Sequence, residues 1–496
     1  MSSGSGDPPF VSVDGVPIPE FALPPGPFAA DWESLKGYRI PAWFEDAKFG
    51  IFLHWGVYGV PAFGNEWYPR NMYQPGSKEH AHHVATYGPV SESGYKDFVP
   101  KFTGERFDPD AWAELFAASG AKYVVPVAEH HDGFPLYDSA YTSWNAARRG
   151  PKRDLIAALE KSVRARGLRF GASSHRAENC WFFHTPLADA DVYDPANRGL
   201  YGFAQPKEQD APAAHLEEWL ARCCEIVDKF RPEVVWFDWW IEEPEFEPYL
   251  RKFAAYYYNR AAQWGIEPVI QYKYESFPEE AAVLDIERGQ LSDIRPRFWQ
   301  TDTSVSTNSW GYIEGHRYRT ATALLHDLID IVSKNGSLLL NLGPRPDGTI
   351  PDEEQALLRE IGAWLAVHGE AVYGTRNWKV YGEGPTQVEG GAFKDATRQP
   401  FAAGDVRYTA KDDFLYAHLL ALPEDGVARL KSLGSDLRLL NRPVEEVTLL
   451  GGDIGGLPFA REPDALAVTL PEGTPPTPHA HVLRLRLAPG VKETGR

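Results

Sequence analysis

Cysteine is nearly missing from this chain. Three residues, Cys180, Cys223 and Cys224, stand among 496, too few for a disulfide framework, and the two adjacent ones are poorly placed to pair with each other. They read instead as small apolar residues buried on a helix. Long apolar runs are missing too. No stretch approaches the roughly 18 consecutive apolar residues that a membrane-crossing helix requires, so no membrane partner is expected. The N-terminal MSSGSGDPPFVSVDG has neither a basic segment nor an apolar one behind it. It is read as carrying no secretion signal, which predicts a soluble chain with its compartment left open. Bases are outnumbered: 50 Lys and Arg face 69 Asp and Glu, for a net charge of −19. Such a surface repels phosphate backbones and anionic lipid, which argues against nucleic acid as a partner, while a neutral ligand is not repelled. No Gly-rich phosphate loop follows any early strand, which disfavours an open doubly wound sheet.

The chain is too long for one compact core, and its texture changes along its length. A Pro/Gly-rich leader occupies residues 1–28. From 29 to 371, short runs rich in β-branched and aromatic residues alternate with helical patterns: FGIFLHWG (49–56), AKYVVPVAEHH (121–131), LRFGASSH (168–175), EVVWFDWW (233–240), PVIQYKYE (268–275) and SLLLNLGP (337–344) as strands, with DLIAALEKSVRARG (154–167) as one of the helices between them. Asp154 and Gly167 have the character of its N- and C-caps. Seven or eight such units predict an α/β fold, a (β/α)8-type barrel with long βα loops, among them 179–212 and 288–310. From 372 to 496, short alternating strands separated by Gly, Pro and Asp predict a C-terminal antiparallel β-sandwich. Its expected task is to cover a barrel face.

Aromatic residues make 13% of the chain, with 16 tryptophans clustered near ionisable groups. A sugar site has this composition, because the C–H faces of a pyranose lie on rings while its hydroxyls need polar partners. In a barrel, function gathers at the C-terminal ends of strands. Here those ends read His54-Trp55-Gly56, Glu129-His130-His131-Asp132-Gly133, Ser173-Ser174-His175 and Trp236-Phe237-Asp238-Trp239-Trp240. Asp238 is the sharpest of these, since a carboxylate set among three tryptophans is hard to ionise without a use. Glycoside hydrolysis calls for a second carboxyl group. Glu287 in VLDIERGQL competes for that place with Glu275, Glu279, Glu280 and Asp285, and periodicity does not choose among them. A zinc site at His130 and His131 is disfavoured, because adjacent ring nitrogens on a strand diverge and no Cys or spaced His completes a ligand set. HAHH (80–83) reads as a solvated loop.

WFEDAKFGIFLHWGVYGVPAFGNEWYPRNMY (43–73), KFTGERFDPDAWAELFAASGAKYVVPVAEHHDGFPLYDSAYTSWN (101–145), VVWFDWW (234–240), WGY (310–312) and NGSLLLNLGPRPDGTIPDEE (335–354) resemble, in order, the motifs of the family 29 glycoside hydrolases, the α-L-fucosidases. The likeness covers about residues 30–375. It implies a retaining hydrolase that needs no cofactor or metal and takes a fucosylated oligosaccharide as its partner. Asp238 then resembles the nucleophile and Glu287 the acid/base. His54, Glu66, Trp67, His130 and His131 resemble the set that binds fucose hydroxyls, and Trp236 and Trp310 resemble residues packed around the sugar ring and its methyl group. The chain departs from the pattern twice. Lys273 stands where some members have arginine, a point charge in place of a bidentate fork. SSHRAENCWF replaces a tyrosine-containing segment, so His175 is expected to take a hydroxyl contact.

Overall fold

The computed structural model describes residues 10–395, 398–452, 455–472 and 479–491. Two short antiparallel strands, β1 (Phe10–Val11) and β2 (Pro17–Ile18), come first. Eight parallel strands then close a barrel in chain order: β3 (Phe49–Leu53), β4 (Tyr123–Glu129), β5 (Arg169–Ser174), β6 (Val234–Phe237), β7 (Val269–Tyr272), β8 (Val283–Glu287), β9 (Trp299–Ser304) and β10 (Gly336–Leu342), the last pairing back onto β3. Side chains alternate across the barrel wall as a period of two demands. Ile51, Leu53, Val124, Leu338 and Leu340 point outward into one cluster with the surrounding helices. Phe52, Tyr123, Val125, Val127, Val234, Trp236 and Leu339 form a separate cluster inside. Gly50 makes room for this interior, since a Cβ there would sit 2.4 Å from the Tyr123 ring.

Helices Pro109–Ala118, Leu155–Ala165, Ala213–Phe230, Glu247–Trp264, Ala321–Ser333 and Asp352–His368 wrap the outside. The Asp154 side chain accepts from Ala157 N, as its expected capping role requires. Among the described residues no helix stands between β7 and β8 or between β8 and β9. Glu287 closes a strand of its own, and residues 288–310, read as a loop, contain β9, which corrects that expectation.

The leader is tied down. Val13 N donates to Glu218 Oε2 at 2.8 Å, Ser143 N donates to Asp14 Oδ2 at 2.6 Å, and Asn259 brackets the chain at Pro24 and Phe28. Residues 1–9 of the leader lie outside the described residues. HAHH is not a solvated loop but part of the helix Lys78–Tyr87, where His83 is fully buried and its Nε2 lies 2.7 Å from Ser93 O. Cys180 and Cys223 are buried helical thiols whose ionisation burial opposes.

Beyond the barrel, β11 (Arg376–Glu383), β12 (Val406–Lys411), β13 (Phe414–Leu419), β14 (Val427–Leu430), β15 (Val444–Leu449), β16 (Phe459–Arg461), β17 (Leu466–Thr469) and β18 (His481–Leu487) form two antiparallel sheets. One runs β11-β12-β13-β18-β15, the other β14-β17-β16. Trp378, Tyr408, Leu415, Leu466, Val468, Leu483 and Leu485 fill the core of this sandwich. Tyr416, Leu420 and Val482 belong instead to the apolar cluster that holds Leu325, Leu328 and Trp364 of the last two barrel helices.

Candidate active site

The C-terminal ends of the barrel strands converge on a cavity of about 300 Å³, at the small end of ligand pockets. All eleven residues singled out from the sequence line it: His54, Glu66, Trp67, His130, His131, His175, Trp236, Asp238, Lys273, Glu287 and Trp310.

The two carboxyl groups come from strands on either side of β7, and a lysine that follows β7 stands between them. Lys273 Nζ lies 2.6 Å from Glu287 Oε2 and 3.3 Å from Asp238 Oδ1, so those two oxygens are at most 5.9 Å apart. Among the five carboxyl groups considered for the second place, only Glu287 lines the cavity with Asp238. Asp285 is 2% exposed and is held by Gln300 beside it on β9. Glu279 pairs with Arg295 at 2.6 Å on the outside. Glu275 lines the neighbouring cavity.

Environment drives the pair apart. Burial opposes ionisation of Asp238, but the Lys273 charge and hydrogen bonds from His131 and His175 outweigh it and hold its pKa well below the ordinary value of 3.8. The contacts are His131 Nε2 at 3.2 Å and His175 Nδ1 at 3.0 Å, both to Oδ2. Glu287 moves the other way. Burial, opposed by Lys273 and reinforced by the negative charges of Asp302 and Asp238, pushes it up to about 7. One group is thus ionised at neutral pH and its neighbour is poised to give or take a proton.

The histidines divide in the same manner. Burial works against charge on His131, yet Glu178 at 2.6 Å and Asp238 raise it to about 10, so it is an imidazolium. Burial keeps His54 and His130 neutral. His54 Nδ1 is 2.7 Å from Asn341 Oδ1, an acceptor, which puts the proton on Nδ1 and leaves Nε2 as a lone pair. Glu66 Oε2 accepts from Trp310 N at 2.8 Å and so fixes the WGY turn. Trp236 is 1% exposed and carries Lys273 Nζ 4.7 Å from its ring.

Both ring nitrogens of His175, which lines the cavity, have partners inside the protein, Asp238 and, at 3.0 Å, Ser173 Oγ, so it positions the nucleophile candidate. Strand ends far apart in sequence bring possible ligand atoms together in a way that sequence spacing does not show. His54, His130 and His175 bring ligand atoms within 4.8 Å of one another, and so do His131, His175 and Asp238.

Among the residues that sequence reasoning missed are two buried acids. Glu178, fully buried behind His131, sits in a short 3-10 turn with no strand-end signature. Asp302 is the register partner of Glu287 on β9 and lies 3.6 Å from Lys273 Nζ. Burial and the Asp285 charge raise the Asp302 pKa well above the ordinary 3.8.

A closed parallel barrel with two carboxyl groups of opposed acidity, facing each other over a small polar and aromatic cavity, defines a glycoside hydrolase of the retaining type. Known proteins narrow this further. The sequence model of the α-L-fucosidase family matches residues 21–370. The tissue α-L-fucosidase of Rattus norvegicus is 31% identical over 490 residues, covering 93% of this chain and 93% of that protein. The plasma α-L-fucosidase of Homo sapiens is 33% identical over 466 residues, covering 90% of this chain and 89% of that protein. The crystal structure of the Thermotoga maritima α-fucosidase in complex with fucose superposes with a TM-score of 0.73 at 30% identity, covering 92% of this chain and all of that one. The chain belongs to the α-L-fucosidase family. Among the described residues no helix is long and apolar enough to cross a membrane.

Proposed function

We propose that the protein releases terminal α-L-fucose from fucosylated oligosaccharides or glycoconjugates with retention of configuration, using Asp238 as nucleophile and Glu287 as acid/base. The contact that supports this most is the Lys273 ammonium between the two, which keeps their oxygens within 5.9 Å, near the separation of about 5–5.5 Å that direct attack by the carboxylate needs. In the first step Asp238 attacks C1 while Glu287 protonates the departing glycosidic oxygen, giving a fucosyl ester and a free alcohol. In the second, Glu287 takes a proton from water, whose oxygen attacks C1 and releases Asp238. The electrostatics suit this exchange of roles. Part of the upward push on Glu287 comes from the Asp238 charge. Ester formation removes that charge, so Glu287, having given its proton to the leaving group, becomes a stronger acid and stays ionised when a base is needed. The His54 lone pair, His130, the His131 imidazolium, Glu66 and Trp67 suit the sugar hydroxyls, and Trp236 and Trp310 its apolar face and methyl group.

Anomer-resolved azide rescue tests the assignment. Asp238→Ala should lower hydrolysis of an aryl α-L-fucoside by at least roughly a thousandfold, and with azide it should form the inverted β-fucosyl azide. Glu287→Ala with azide should form the retained α-fucosyl azide. Asp302 is the rival acid, with its pKa raised and its side chain at the cavity, but that side chain is only 1% exposed against 17% for Glu287. Retained azide from Asp302→Ala, with none from Glu287→Ala, would transfer the role to Asp302.

A further inference from the structure

Two exposed rings border the cavity. Tyr274 is 50% exposed and Phe393 57% exposed, and both line the cavity with Asp238 and Glu287. Both also adopt the left-handed backbone, with φ of 56° and 57°, a strained conformation for a bulky residue that persists only where the surroundings impose it. Tyr274 directly follows Lys273. Phe393 comes from far along the chain, in the segment between β11 and β12.

That segment is fastened to the strand carrying Glu287. Gly391 bridges to Gln290, Phe393 N donates to Glu287 O at 2.9 Å, and Lys394 N donates to Arg288 O at 2.8 Å. Arg288 and Thr303 hold Asp395 at 3.3 and 2.8 Å. The approach is close enough to require glycine at 289, where a Cβ would lie 2.0 Å from Gly391 O. A second cavity of about 770 Å³ shares Lys273, Tyr274 and Glu287 with the first and is bounded by Gly391 and Ala392. Its other ionisable groups, Glu242, Glu275 and Asp285, are acids.

We infer that Tyr274 and Phe393 are the platform for the sugar to which fucose is attached, and that the second cavity receives the rest of a neutral oligosaccharide. A proton donor stands beside the bond it breaks, so the leaving group lies on the open side of Glu287, where these rings are. Exposed rings offer a pyranose face the apolar contact it needs. The acids favour neutral sugars rich in hydroxyl donors and repel sialylated or sulfated ones. The segment preceding β12 is therefore part of the substrate site and does more than cover the barrel.

The inference rests on the fucosidase reading, and one experiment separates the two. The kcat/KM values of wild type, Phe393→Ala and Tyr274→Ala are measured on α-L-fucosyl fluoride, whose leaving group is a single atom, and on a neutral fucosylated disaccharide. Turnover of the fluoride by wild type tests the reading itself, and failure there would sink it. The ratio of disaccharide to fluoride kcat/KM tests the platform. It should fall by about tenfold or more in each variant, and Phe393→Trp should restore most of it. A ratio within twofold of wild type, even where both rates drop together, overturns the platform. Thermal midpoints identify any variant that fails to fold, in which case Phe393→Leu replaces Phe393→Ala.

Discussion

At the scale of single residues, Lys273 decides how the site titrates. Its ammonium touches both carboxylates and is itself held charged by Asp302, Glu287 and Asp238 despite its burial. The cation favours the ionised form of each acid, so removing it raises both pKa values. The expected pH profile of kcat/KM follows from the same groups. Activity falls as pH rises through about 7, where Glu287 loses the proton it must deliver. It is not limited on the acid side until pH drops well below 3.8, where Asp238 protonates. In Lys273→Met both limbs should move to higher pH by about one unit or more, the effect of losing an opposite charge within hydrogen-bond reach. Lys273→Arg should leave them close to wild type. A basic limb that stays in place in Lys273→Met would show that another group sets it.

At the scale of elements, a sealed ring of charge braces the strand ends. Glu129 ends β4, Arg176 follows β5, and Glu218 and Arg222 lie one turn apart on Ala213–Phe230. Arg176 reaches Glu129 at 2.7 Å and Glu218 at 3.1 Å, and Arg222 reaches them at 2.9 and 2.5 Å, with every side chain 1% exposed or less. Glu218 also takes the amide of Val13 from the leader. Arg222→Met leaves two buried acids facing one base, which should destabilise the fold by about 3–5 kcal/mol. Adding Glu218→Gln restores neutrality, and part of the loss should return. A thermal-melt double-mutant cycle measures this, and simple additivity would contradict it.

The same scale explains what the sequence revealed. Six barrel strands were legible because both of their faces are apolar over most of their length, as in FGIFL and VVWF. The strands β8 and β9 were not, because their inward positions are polar: Asp285 and Glu287, then Gln300, Asp302 and Ser304. A strand that builds a polar pocket has the composition of a loop. Asp302 was hidden with it, while Asp238 stood out because three tryptophans surround it. Glu178 and Phe393 gave no periodic signal at all, since their importance comes from what the fold brings beside them.

At the scale of the whole molecule, the question is whether barrel and sandwich are separable. Modules joined by small polar contacts move and melt independently, but this junction has the character of a core. Trp364 Nε1 donates to Ala480 O at 2.9 Å, and Tyr416, Leu420 and Val482 share one apolar cluster with the last two barrel helices. Asp330, fully buried, accepts from Lys334 of its own helix at 2.7 Å and from Arg407 of β12 at 2.5 Å. Farther off, Phe393 N holds the carbonyl of Glu287, so the sandwich side of the chain also fixes a residue of the site. Loss of activity, of far-ultraviolet circular dichroism and of tryptophan fluorescence should therefore coincide on heating. Arg407→Met leaves Asp330 paired with Lys334 alone and removes the charged contact between helix and sandwich, so it should lower all three midpoints together, with a loss of about 1.5–3 kcal/mol. A fluorescence or dichroism transition separated from the loss of activity, in wild type or in Arg407→Met, would mean that the two parts stand on their own.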